Sequence, residues 1–192
     1  MTLSKNEFEN QTFTKESFTH LVLKHKIFSY VTFEGCDFTQ SDLTGSRLLE
    51  CKFLNCNLSL LKIDGCRLQN IDFDLCKLVG VNFSNCDRMF LAIQFKKCLI
   101  GTCNFSNLDL KNTPFHDCTI RDTHFKEINL TGADFRGSDL SGSLFHSTNL
   151  SKANFVNALN YSINPLTNKL SKTKFSKPEV LSLLDHLDII VE

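Results

Sequence analysis

From Phe8 onward, every fifth residue of this chain is apolar. The series runs Phe8, Phe13, Phe18, Leu23, Phe28, Phe33, Phe38, Leu43, Leu48, Phe53, Leu58, Ile63, Leu68, Phe73, Leu78 and Phe83. The register then slips by two and resumes from Phe90 as Phe95, Ile100, Phe105, Leu110, Phe115, Ile120, Phe125, Leu130, Phe135, Leu140, Phe145, Leu150 and Phe155. Counting Phe175, all 18 phenylalanines fall on one segment of this register or the other, which predicts that all of them point inward. The position two residues earlier in each unit is small or slim, and it holds every one of the 9 cysteines, from Cys36 to Cys118.

A period of five matches neither the 3.6 of a helix nor the 2 of a strand. It requires a turn in each unit, with two of five side chains directed inward. Four such units close a square coil, and coils stack at the inter-strand spacing of about 4.8 Å. The large residue fills the axis. The slot two before it also points in, at a corner, where cysteine serves as a small hydrophobe. Units on the same side of successive coils then superpose. Phe95, Phe115, Phe135 and Phe155 form one column, Phe105, Phe125 and Phe145 the opposite one, and Cys36, Cys56 and Cys76 a stack of thiols. Stability becomes nearly one-dimensional, each coil leaning on its neighbours.

The 192 residues suit one domain. Lysine plus arginine (21) equals aspartate plus glutamate (21), so net charge indicates neither a strongly basic nucleic-acid binder nor a strongly acidic chain. No apolar run approaches the roughly 20 residues of a membrane span, and Met1–Glu7 lacks a signal-like apolar segment. The expectation is a soluble, cytoplasmic protein with no membrane partner and no direct nucleic-acid binding.

The cleanest copies of the unit are Ala133-Asp134-Phe135-Arg136-Gly137 and Ser138-Asp139-Leu140-Ser141-Gly142. In these residues, and over about Asn6 to Ala158, the chain resembles the pentapeptide-repeat proteins. The resemblance implies an all-β solenoid, a right-handed quadrilateral β-helix of seven to eight coils, or a rod of roughly 35–40 Å. Residues 1–158 form the repeat, with a register break at 87–93 read as a bulge rather than a boundary. Residues 159–175 form a last irregular coil, and 176–192 a tail. At the first coil the inward slots are polar (Asn6, Gln11, Glu16, then Lys26), which reads as an open, partly solvated end.

In the tail, Ser176-Lys-Pro178-Glu179 reads as a capping box. Val180, Leu183, Leu184 and Leu187 follow at the spacing of an amphipathic α-helix, and Asp188–Glu192 as a short strand. This ending resembles the quinolone-resistance pentapeptide proteins and the microcin-immunity proteins. There the resemblance implies a two-fold homodimer, with Val180, Leu183, Leu184, Leu187, Ile189, Ile190 and Val191 at the seam. The alternative is that the helix only covers the open end of its own rod.

Nothing in the sequence groups as a catalytic centre. The histidines are scattered over surface slots, and there is no Ser/His/Asp set, phosphate loop or His-x-x-x-His motif. The expectation is a non-enzyme with no cofactor and no catalytic or metal-ligating residues. The cysteines read as reduced core thiols, with zinc or a disulfide as the alternatives. What remains is the outer surface, where Asp72, Asp74, Asp122, Asp134 and Asp139 are the candidate partner-binding residues. The resemblance implies binding to a type II topoisomerase (DNA gyrase or topoisomerase IV), the rod imitating duplex DNA and protecting the enzyme from quinolones or a gyrase-directed toxin. Two features depart from that pattern. Arg47, Lys52, Arg67, Arg121 and Arg136 intersperse the carboxylates, and no projecting loop interrupts the repeat, as in the loop-less members. The competing reading is an adaptor rod with a flat, partly apolar face around Leu54 and Leu75.

Overall fold

The computed structural model describes residues 5–190. The chain winds into a parallel β-solenoid of about eight coils ending in one short helix. Its strands are two to four residues long (Glu7–Glu9, Thr12–Thr14 and Ile27–Ser29 among them) because a corner interrupts each side. Residues twenty apart pair in parallel register, as in Arg47↔Arg67 and Phe53↔Phe73.

The corners explain the composition. Nearly every fifth residue adopts positive φ, from Asn10 at 52° through Asn55 at 53° to Asn160 at 56°. Only glycine and, less readily, asparagine or aspartate enter this region without strain, yet Tyr30, Leu60 and Leu75 are also held there. Tertiary stacking overrides local preference. Between corners, an outward Asp or Asn just before the inward residue accepts from the backbone N–H two residues on. Asp37 to Thr39 (2.8 Å), Asn104 to Ser106 (3.0 Å) and Asn129 to Thr131 (3.1 Å) are examples. These Asx turns bridge the chain over each inward side chain, so the recurring Asp/Asn is a structural requirement of the coil.

Inside, Phe13, Phe33, Phe53, Phe73, Phe95, Phe115, Phe135, Phe155 and Phe175 form one uninterrupted column. Neighbouring rings stack at centroid separations between 4.8 and 5.4 Å. Phe83, Phe105, Phe125 and Phe145 rise opposite and meet the first column edge-on, as in Phe105–Phe115 at 5.9 Å and 88°. Offset stacking along the axis and T-shaped contact across it are the two favourable aromatic geometries.

The slot residues do more than fill space. Their thiols and hydroxyls donate to the carbonyl of the central residue one coil below: Cys36 Sγ to Phe13 O (3.3 Å), Cys76 Sγ to Phe53 O (3.2 Å), Cys66 Sγ to Leu43 O (2.8 Å), Ser46 Oγ to Leu23 O (3.0 Å) and Ser138 Oγ to Phe115 O (2.6 Å). Cysteine, serine and threonine share the slot because each pairs a small body with a donor. The size argument alone had missed that second property.

The register break corrects one expectation. Phe90 does not point inward; it is 66% exposed, at φ 60°, while its neighbour Met89 is 57% exposed. Leu91, half-buried, packs against the core in its place. The sheet crosses the break intact, with Asp72↔Gln94, Phe73↔Phe95 and Leu78↔Ile100 paired twenty-two apart. The two extra residues are extruded at a corner, and every column above and below stays aligned.

The ends differ. At the N-terminal end Asn6 and Gln11 are exposed, and Glu16 and Lys26 are half-buried. Lys26 Nζ donates to the Lys5 carbonyl (2.6 Å) and Asn6 Oδ1 (3.1 Å). At the C-terminal end Tyr161 and Ile163 turn in over the column, Ile163 pairing above Phe145. The tail helix, Glu179–His186, is 3-10 rather than α, and its N-cap is Pro178, not Ser176. Ser176 Oγ accepts instead from Asn157 N (2.9 Å) in the coil below, so the capping box does not form. Asp188–Ile190 is not a strand, since no neighbouring ladder is available to pair with it; Val191 lies outside the described residues.

Candidate interaction surface

All nine cysteines are buried and free. Cys36, Cys56, Cys76, Cys98 and Cys118 occupy one column, adjoining the in-register ladder Asp37↔Asn57↔Lys77↔Leu99↔Thr119. Burial pushes the thiols of Cys51 and Cys103 up to about 11 and that of Cys66 up to about 12. Hydrogen bonding to a neighbouring thiol, with burial added, pushes Cys76 and Cys118 upward. Hydrogen bonds from neighbouring thiols pull Cys56 and Cys98 the other way, so the column alternates in direction, while burial shields every one of its thiols from reagents in solution. Among the described residues, no three or more His, Cys, Asp or Glu side chains converge as a metal site would require, and no helix is long and apolar enough to cross a membrane.

The five candidate carboxylates are spread over two sides and a corner. Asp72, Asp74 and Asp134 lie on the side built over the phenylalanine column, Asp139 lies on the next side, and Asp122 stands at a corner beyond it. Most are already engaged. Asp134 takes Arg136 Nη2 at 2.7 Å and His116 Nε2 at 3.0 Å. Burial raises its carboxyl, but the hydrogen bonds from Arg136 and His116 outweigh that and leave it below the ordinary value. Asp139 is likewise lowered: burial is outweighed by hydrogen bonds from Ser141 and Asn160 and by Arg121, 3.5 Å away. Asp72 accepts from Gln94 and stands above Lys52 in register; Asp74 stands between Leu54 and Lys96. Asp122 Oδ1 lies under Gly142, where a Cβ would collide with it. They do not form a continuous acidic stripe: Asp72 and Asp74 flank the inward Phe73 on one strand, and basic or neutral side chains separate that pair from the others.

The tail residues also divide. Leu183 packs against the core of its own rod. Leu184, Leu187 and Ile189, with Leu181, line an open groove, while Ile190 is 89% exposed. Val180 is half-buried. The helix therefore covers its own end with one face and leaves a second apolar face outward. His186 Nε2 lies 3.1 Å from Ser162 Oγ, tying the helix to the last coil.

Sequence reasoning missed the bulge as a surface feature. Arg88, Met89 and Phe90 project from the register break, beside a cleft of about 520 Å³ lined by Asn70, Leu91, Ile93, Leu110 and Pro114 among others. The signal was the two-residue slip, which reads as a bulge redirecting the rod, with Phe90 counted among the inward residues.

A family model described as "Pentapeptide repeat region" matches residues 26–89 and 81–155. Among solved structures, a trypsin-treated variant of QnrB1, a plasmid-mediated fluoroquinolone resistance protein, superposes with a TM-score of 0.75 at 17% identity, covering 97% of both chains. A second trypsin-treated QnrB1 variant gives 0.75 at 16% identity with the same coverage. HetL, a pentapeptide repeat protein involved in heterocyst differentiation regulation from the cyanobacterium Nostoc sp., covers 88% of this chain and 84% of its own at 17% identity, with a TM-score of 0.47. No curated protein sequence matches significantly.

Proposed function

The chain belongs to the pentapeptide-repeat family, and from that premise we propose that it is a non-enzymatic, cytoplasmic rod that binds DNA gyrase or topoisomerase IV and protects it from quinolones or a gyrase-directed toxin. The observation that carries this reading is likeness of fold along the whole molecule, tail included, to a fluoroquinolone resistance protein over 97% of both chains. The rod occupies surface that duplex DNA would occupy, by shape together with locally paired charges. The engaged state of Asp134 and Asp139 argues against a purely electrostatic imitation, in which unpaired carboxylates would replace phosphates.

In this reading two rods join through the outward face of the tail, Leu184, Leu187, Ile189 and Ile190, as an isologous contact. A Leu184→Asp/Leu187→Asp variant is then monomeric by light scattering; an unchanged mass rejects the seam. The function itself is tested by gyrase supercoiling with and without a quinolone across protein concentrations. Relief of drug inhibition supports it, and absence of both binding and relief overturns it.

A specific observation favours a second reading, the adaptor rod. Leu60, Leu75 and Leu99 are 48%, 57% and 41% exposed in successive coils. Leu60 and Leu75 stand at two different corners and Leu99 at the start of a strand, each an apolar surface that a partner would cover. A pull-down that lacks gyrase and enriches one other protein, lost on Leu75→Ser, selects that reading.

A further inference from the structure

Of the nine cysteines, five share one column. A small body with a donor does not explain that grouping. Ser46, Ser138 and Ser143 fill the same slot and donate to the same kind of carbonyl, at 3.0, 2.6 and 3.1 Å. Packing alone would therefore mix cysteine with other slim residues along each column, and elsewhere it does. Cys51 lies between Val31 and Ile71, and Cys103 between Val81 and Thr123. Only beside the Asp37 ladder does cysteine run through five successive coils, from Cys36 to Cys118, before Ser138 replaces it.

These thiols repeat one geometry. The Sγ atoms of Cys36, Cys56, Cys76 and Cys98 stand 3.2 or 3.3 Å from the carbonyl of the central residue one coil below. Each sulfur is thus displaced from the next by one coil step, about 4.8 Å. Each thiol from Cys56 to Cys118 also shifts the titration of its neighbour. A metal–thiolate bond is about 2.3 Å long, so an ion midway between two such sulfurs is at bonding distance from both, in a nearly straight line. A tetrahedral ion finds no converging set of three or more ligands among the described residues; a linear one needs only the two that the stack supplies. Thiolate ligands select soft ions. Charge selects further, because a net charge in this dry column is costly. Two thiolates neutralise a divalent ion and leave an excess negative charge on a monovalent one.

We propose that the cysteine column is a site for a thiophilic divalent ion of linear coordination, of which Hg²⁺ is the type, held between successive thiols. The reaction is Hg²⁺ + 2 R–SH → R–S–Hg–S–R + 2 H⁺. Two S–H bonds break, two S–Hg bonds form, no electron is transferred, and both protons pass to solvent. Five thiols make two separate pairs, so the column takes two ions. Entry is from the N-terminal end, where half-buried Glu16 stands below Cys36 and the end coils of a solenoid open without the rest. Cys66 and Cys86 face each other in a further pair, which every variant below keeps.

The test is native mass spectrometry of the full chain after incubation with mercuric chloride and then with an excess of a small monothiol, which strips ions held by a single sulfur. Cys56→Ser/Cys98→Ser and Cys51→Ser/Cys103→Ser each remove two thiols, but only the first breaks every facing pair of the column. The first retains two ions fewer than wild type, and the second as many as wild type. Single variants follow the same parity. Cys56→Ser loses one ion, whereas Cys76→Ser, which leaves Cys36 with Cys56 and Cys98 with Cys118, loses none. Bound ion raises the melting temperature of wild type and raises that of Cys56→Ser/Cys98→Ser less. Equal losses in the two double variants overturn the site, as does a mass lower by two hydrogens without bound metal, which marks a disulfide. Should the first double variant not melt cooperatively, the single variants decide, and equal retention by Cys56→Ser and Cys76→Ser overturns the proposal. The gyrase reading stands or falls separately.

Discussion

Phe115 and Phe90 are the same residue type, each assigned to a central position by counting in fives, and they meet opposite fates. Phe115 sits in a column with Phe95 below at 5.1 Å and Phe135 above at 4.8 Å, and is fully buried. Among the described residues Phe90 has no ring neighbour, and it is exposed. Part of the difference is local, since the slot two before Phe115 holds the slim Thr113 and the slot two before Phe90 holds Arg88; the rest of the difference is not local. It lies in what the neighbouring coils already offer. A column position is defined by the coils above and below it, and two added residues at a corner cannot displace that alignment.

The comparison is broken most directly by truncation. Phe115→Ala removes a ring from the middle of the column and is expected to cost about 3–5 kcal/mol in chemical denaturation; Phe90→Ala should stay within about 0.5 kcal/mol. Equal costs would mean that Phe90 is packed after all. The next largest effect tests the slot. Ser138→Ala strands the Phe115 carbonyl, which accepts from Ser138 Oγ, and should cost about 1–3 kcal/mol. A neutral result would show that this carbonyl is satisfied otherwise.

Titration separates the two regions further. In the interior, the Cys51 and Cys66 thiols are raised from 9.0 to about 11 and about 12 by burial. Their contribution is complete below the unfolded value and is lost as pH rises toward 11–12. The melting temperature should therefore fall between pH 9 and 12, less steeply in Cys66→Ser. At the bulge the sign reverses. The Met89 N–H and Arg67 hold Asp87 below 3.8, so its contribution is present above that value and lost as pH falls through the depressed one. Hydrogen exchange at the Met89 amide should quicken in acid before exchange in the columns does. The smallest effect concerns access. The nine native thiols should stay unmodified by a bulky thiol reagent until denaturant is added, and insertion or loss of residues at the bulge should not change that.

The columns were legible because a period of five admits few foldings, and the chain keeps it from Phe8 to Phe83 and again from Phe95 to Phe155. The position of the cysteines was equally plain. Their donor role was not, because the carbonyl that Cys36 reaches belongs to Phe13, and that juxtaposition exists only once a coil is closed. The inward assignment of Phe90 failed because counting residues is not the same as counting sides. The tail helix was found, but i, i+3 and i+4 spacing with a proline near the start suits a 3-10 turn as well as an α-helix. Ser176 was drawn away to Asn157. For the candidate surface, the Asx role of Asp134 and Asp139 could be read from the repeat. The contacts from His116 and Arg121 could not, since each depends on the rotamer of a side chain on a neighbouring coil.

The pairing of Phe73 with Phe95 across twenty-two residues, where most coils use twenty and Phe145 pairs with Ile163 across eighteen, has an evolutionary consequence. Length changes in this architecture fall into two kinds. A duplication of one whole turn lengthens the shaft by one step and leaves every contact type unchanged. A shorter insertion survives when it falls at a corner, where it becomes an outward projection without a frameshift of the columns beyond. Such a molecule can carry surface features at its corners while its interior keeps a fixed grammar, as the outward residues 88–90 do here.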